Sequence, residues 1–154
     1  MSKAARKAKT LSRRTAARLG AVQALFQWEK SEDAPTVVDA QFRNFRLGEE
    51  IDGVRLGNAD EDLFSDILLG ATQRVTELDA LIEKALAENW SIKRIDSLVL
   101  QILRAGAYEL VGRPDVPTAV IITEYVDIAH AFFAETEPKF VNGLLDRLAK
   151  EMER

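Results

Sequence analysis

The stretch IDSLVLQILRAGAYELVGRP, residues 95–114, decides the fold class. Ile95, Leu98, Val99, Ile102 and Leu103 recur at intervals of three and four, the stripe of a helix that buries one side. Ser91 stands where an N-cap belongs, and the helix runs to about Val111. Gly112, Arg113 and Pro114 then stop it, because proline cannot supply the next backbone donor. The same spacing recurs on both sides of this stretch. No segment alternates with the period of two that a half-buried strand needs.

Working toward the C-terminus, Pro117 is suited to a first helical turn. Residues 118–133, TAVIITEYVDIAHAFF, are apolar on almost every side, which predicts a central, buried helix. Thr136 and Pro138 restart the chain as a last helix, with Phe140, Val141, Leu144, Leu145, Leu148 and Met152 along one face. Toward the N-terminus, Asp60 opens a stretch carrying Leu63, Phe64, Ile67, Leu68, Val75, Leu78, Leu81 and Ile82. Thirty unbroken residues would reach ~45 Å, so a kink or break is expected, with Gly70 either bending the helix or admitting a close neighbour. Residues 48–59, GEEIDGVRLGNA, read as a loop. Pro35 precedes a short helix ending near Leu47. Residues 12–30 form an amphipathic helix capped by Ser12, with Leu19, Val22, Leu25 and Phe26 on its apolar side. The expectation is an all-α fold of six or seven helices without repeats: a basic flexible arm over residues 1–10 and a single helical domain over residues 11–154.

A chain of 154 residues buries about two-thirds of its unfolded surface and needs no staples. Its 47% hydrophobic and 30% charged residues are ordinary for a soluble globular protein. The absence of cysteine excludes disulfides, thiolate metal sites and cysteine nucleophiles. A lone histidine, His130, leaves a His-based triad or His-rich metal site hard to build, and it reads as a residue in or beside the core. Asn58, Asp60 and Asp62 imitate the start of an EF-hand loop. The sixth position is Leu63 and the twelfth Leu69, where glycine and a bidentate glutamate are needed, so calcium is excluded. No run approaches the ~18 apolar residues of a membrane span. These readings lead to a soluble, cytoplasmic, non-enzymatic protein with no cofactor, no metal and no membrane contact.

The net charge of −4 conceals a segregation. Lys3, Arg6, Lys7, Lys9, Arg13, Arg14 and Arg18 precede the first acid, Glu29, giving +7 over the first 28 residues and −11 over the rest. A basic arm on an acidic body suits a polyanion. Residues 1–10 alone also suit a solubilising tail or a transit peptide. Arg14 and Arg18, four apart, fall on one side of the first helix, so the basic stretch continues into the fold. Phe26 lies two turns beyond Arg18, roughly 12 Å along the axis. Arginines for phosphates and a ring for unpaired bases are the usual means of reading single-stranded RNA. The other reading of Phe26 is a core position.

Two segments carry a resemblance. Residues 13–28, RRTAARLGAVQALFQW, resemble the arginine-rich first helix of the NusB family of antitermination factors. ILRAGAYEL (102–110), DVPTAVIITEYVDIA (115–129) and KFVNGLLDRL (139–148) resemble its C-terminal half, in the same order and spacing. The resemblance implies two packed helical bundles and no catalysis. It implies binding of boxA RNA together with NusE, a small-subunit ribosomal protein, within the RNA polymerase antitermination complex, notably in ribosomal RNA operons. Carried over by motif, Arg13, Arg14, Arg18, Phe26, Lys139 and Phe140 would contact RNA. Asp96 would face the protein partner, and Asn142 and Gly143 would serve packing. Thr15 and Ala16 stand where relatives often continue with arginine, and Leu100 and Gln101 replace an acidic–basic pair. A helical protein-binding scaffold whose basic arm meets an acidic partner is the alternative, and self-association remains open.

Overall fold

The structure, a computed structural model, describes residues 11–46, 50–51, 54–55 and 59–154. The basic arm expected over residues 1–10 and most of the glycine-rich loop lie outside the described residues. Among the described residues there are seven α-helices, and the chain divides into two compact units at Leu69 and Gly70. The all-α expectation holds. The one addition is a two-residue antiparallel ladder inside the loop, β1 (Glu50–Ile51) with β2 (Val54–Arg55).

In the first unit, α1 (Arg13–Lys30) starts where Ser12 places it: the Ser12 hydroxyl accepts from the Thr15 amide at 3.1 Å. One of the four orphan amides of the first turn is thereby satisfied. Ala16, Ala17, Ala21 and Ala24 are buried beside Leu19, Val22 and Leu25. Pro35 begins α2 (Pro35–Gln41), which continues as a single π-helical turn, Phe42–Arg46. Gln27 of α1 donates to Gln41 of α2 at 2.9 Å. Phe42 stacks on Phe64, ring centroids 5.7 Å apart. Buried Asp39 accepts from Ser65 at 2.5 Å and Arg43 at 3.0 Å, which offsets the loss of its hydration. Asp60 caps α3 (Glu61–Gln73) through its own carboxylate, which accepts from the Leu63 amide at 3.0 Å.

The second unit takes the last turn of α3 and the rest of the chain. The expected break falls at Arg74, where the backbone leaves helical geometry before α4 (Val75–Ala85). Gly70 serves the close approach instead: a Cβ there would lie 2.3 Å from the Tyr108 ring. Ser91 makes no side-chain cap and leads only into a 3₁₀ turn, Ile92–Arg94. The cap of the long helix is Asp96, which accepts from Leu98 and Val99 amides at 2.9 and 3.2 Å. That helix, α5 (Ser97–Gly112), is the central one, with every residue from Val99 to Leu110 buried.

The helix expected to be central, α6 (Thr118–Phe132), is amphipathic instead. It buries Ile121, Tyr125, Ile128 and Ala129, while Val120 remains 43% exposed. Apolar composition overstated its burial, since single exposed valines and alanines cost little. His130, expected in or beside the core, is exposed in its last turn. The last helix, α7 (Thr136–Glu151), buries Val141, Leu144, Leu145 and Leu148 as its stripe required. The close-packing glycine is Gly106, 2.9 Å from Leu145 if given a Cβ, and not Gly143, where a Cβ meets nothing within 4 Å. Arg154 then folds back. Its guanidinium donates to the carbonyls of Leu110, Arg113 and Val116 at 2.8, 2.6 and 2.9 Å, and to the Thr118 hydroxyl at 2.6 Å.

Candidate nucleic-acid interface

The start of α1 concentrates positive charge. Arg13 and Arg14 are both exposed in the first turn, which contains no acid. The helix N-terminus is itself the positive end of the macrodipole, so each cation there forgoes ~0.3–1 kcal/mol that an acid would gain. Such an arrangement disfavours the isolated helix and favours an anion brought from outside. Arg18 does not join it. At 2% exposure its guanidinium meets protein, so the shared outer side expected for Arg14 and Arg18 is corrected: the first is presented and the second is held in the core. Phe26 is half-buried, with the Lys30 ammonium 5.2 Å from its ring centroid.

In the second unit Lys139 is exposed on the first turns of α7 and Phe140 is half-buried beside it. Phe140 meets Trp90 at a centroid separation of 6.3 Å. The Arg94 guanidinium lies over the Trp90 ring at 5.3 Å and donates to the Asn89 carbonyl at 3.1 Å. Two grooves flank Phe140. One, about 320 Å³, runs between the end of α4 and α7 past Lys139 and Arg147. The other, about 280 Å³, is lined by Arg94, Asp96 and Glu137. Among the described residues no cluster of three histidine or acidic side chains could hold a metal ion, and no helix is long and apolar enough to cross a membrane.

A family model described as the NusB family matches residues 15–150. The chain belongs to the NusB family. It is 51% identical over 144 residues to the transcription antitermination protein NusB of Allorhizobium ampelinum, covering 94% of this chain and 90% of that one. It is 50% identical over 147 residues to the NusB of Rhizobium rhizogenes, covering 96% and 92%. Among solved structures, T. maritima NusB superposes with a TM-score of 0.72 at 30% identity, covering 93% of this chain and 94% of that one. A chain from a complex of NusB and NusE with double-stranded RNA superposes with a TM-score of 0.74 at 23% identity, covering 89% and 96%, and shows the shared fold.

Within this NusB fold the residues singled out from the sequence fall into two groups, each described in its own unit. Arg13, Arg14, Arg18 and Phe26 lie on α1, and Lys139 and Phe140 on α7. Asp96 is exposed, and one of its carboxylate oxygens is engaged by the α5 cap. Trp90 was missed. It is 45% exposed, and its neighbours Arg94 and Arg147 went unremarked with it. A tryptophan inside the polar run AENWSIKR, with two cations just after it, was a legible signal, since nothing there needs a large ring for a helix stripe.

Proposed function

We propose that the protein is a non-catalytic RNA-binding antitermination factor that binds boxA RNA jointly with NusE and acts in the RNA polymerase antitermination complex, notably on ribosomal RNA operons. Membership in the NusB family and the antitermination names of its relatives support this. The single observation that carries it is the exposed Arg13–Arg14 pair on a helix start free of acids. Two cations and the positive helix end there suit a phosphate, and Lys139 and Phe140, in the second unit, are a further cation and ring suited to RNA. Asp96, on the rim of the acidic groove, is assigned to the NusE side. The protein works in the cytoplasm by positioning the RNA, and Lys3, Arg6, Lys7 and Lys9 add four cations ahead of Arg13 in the sequence.

The test is fluorescence anisotropy with labelled boxA RNA and a scrambled control, each with and without NusE. Preferential boxA binding, strengthened by NusE and weakened by salt, is expected. Each phosphate contact removed should reduce the log–log salt slope by about 0.7. Arg14→Glu should weaken binding without lowering the thermal midpoint, whereas a melted variant would make Arg14 structural. Indifference to RNA sequence in all conditions would leave the scaffold reading, with an acidic protein as partner of the arm.

A further inference from the structure

We infer that the groove between the end of α4 and α7 seats one unpaired base of a single-stranded RNA, with the Trp90 indole as its stacking surface and Lys139 and Arg147 as its phosphate contacts. The inference rests on the RNA-binding reading and assigns it a subsite. Three observations carry it.

The first is Trp90. A tryptophan buries ~150–250 Å² when a fold uses it fully, yet this one is left 45% exposed. It is also held in place, by Phe140 at 6.3 Å and by Arg94 at 5.3 Å. A fixed, open ring is pre-organised for a planar partner and loses little freedom on binding.

The second is charge. Lys139 and Arg147 line this groove and no carboxylate does. Arg147 is anchored by donating to the Ala85 carbonyl at 2.9 Å, which fixes a cation at the rim. The groove across Phe140 has two carboxylates, Asp96 and Glu137, against one guanidinium, and so repels a phosphate. A ligand with a ring and an anionic backbone is steered to one side of Phe140 only.

The third is Gly143. A glycine inside a helix destabilises it relative to alanine, and such a position usually relieves a close neighbour. Here a Cβ would meet nothing within 4 Å, and the residue lines the groove. The missing side chain keeps the groove open, with Leu144 as an apolar wall beside it. At about 320 Å³ the space stands at the lower end of ligand-sized clefts.

The experiment uses the full chain carrying Trp28→Phe, which leaves Trp90 as the sole tryptophan of the two. A single-stranded boxA RNA and an abasic ribose–phosphate strand of equal length are titrated, following Trp90 emission and strand anisotropy together. Quenching by the RNA that saturates with its binding, and none by the abasic strand, is expected. Trp90→Ala should weaken RNA binding on the order of tenfold and Trp90→Phe should restore most of it. Gly143→Leu should weaken binding comparably while leaving the thermal midpoint unchanged or raised. RNA that binds without quenching, and with parental affinity for both Trp90→Ala and Gly143→Leu, overturns the subsite and leaves the RNA-binding reading standing. The subsite is equally overturned if NusE alone shifts Trp90 emission and RNA does not, which would give the groove to a protein. If no RNA binds the parent chain, both readings fall together.

Discussion

Helices α5 and α6 follow one another in the second unit and look alike as strings of apolar letters, yet they are packed in opposite ways. α5 carries Gln101, Arg104 and Glu109 and is buried along twelve consecutive residues; α6 has no lysine or arginine and buries one face. The difference lies in partners. Arg104 Nε and NH2 each donate to Asp79 at 2.8 Å, and Glu109 accepts from the Tyr125 hydroxyl at 2.5 Å. A charged side chain can be interior once another element supplies its counterpart, and an apolar one can stay outside at little cost. Burial therefore follows from pairing as much as from hydropathy.

The largest effect on this pairing is expected from Asp79→Ala. It strips the buried guanidinium of both short contacts, and urea denaturation should show a loss of about 3 kcal/mol, the low end for a broken buried pair because Asp79 is partly open to water. A loss below ~1 kcal/mol would mean that Arg104 is stabilised chiefly by other neighbours. Tyr125→Phe is next. It removes a donor from a fully buried carboxylate at almost constant volume, and should cost ~1–3 kcal/mol by the same measurement. Val120→Ser on the open side of α6 should change stability by no more than ~0.5 kcal/mol, and a larger loss would show that this face is covered.

The smallest effect belongs to the exposed pair at the α3–α4 break. The hydrogen bond from Arg74 holds the Glu77 carboxyl below its usual range, and the same bond raises the Arg74 guanidinium. A depressed carboxylate stabilises the fold above its unfolded pKa and loses that contribution as pH falls through the folded value. Urea midpoints of the parent and Glu77→Gln should thus differ slightly at neutral pH and converge in acid. A gap that widens in acid would reverse the sign of this linkage.

The parts of this fold legible in the sequence are those decided by near neighbours. Ser12 and Asp60 cap the helices they precede, and the Gly112–Pro114 stop and Pro117 start stand where they were read. The rest was decided by a nearer cap or by packing. Ser91 looked like the cap because the 3₁₀ turn after it hid the nearer Asp96. Arg18 shares a helix side with Arg14, but the fold buries it almost completely. Arg104 depends on a residue 25 positions away, which periodicity cannot show. Of the candidate interface, Arg13, Arg14, Lys139 and Phe140 were singled out from motif and charge, whereas Arg94 and Arg147 were not. Trp90, though signalled by the polar run around it, was passed over, because its groove forms only where α7 runs beside it.

The grip of Arg154 has a practical consequence for anyone handling the chain. One terminal guanidinium fastens a turn whose carbonyls lie some forty residues earlier, at Leu110 and Arg113. Arg154→Ala would release that turn, and amide exchange at Arg113, Asp115 and Val116 should quicken well before any helix unravels.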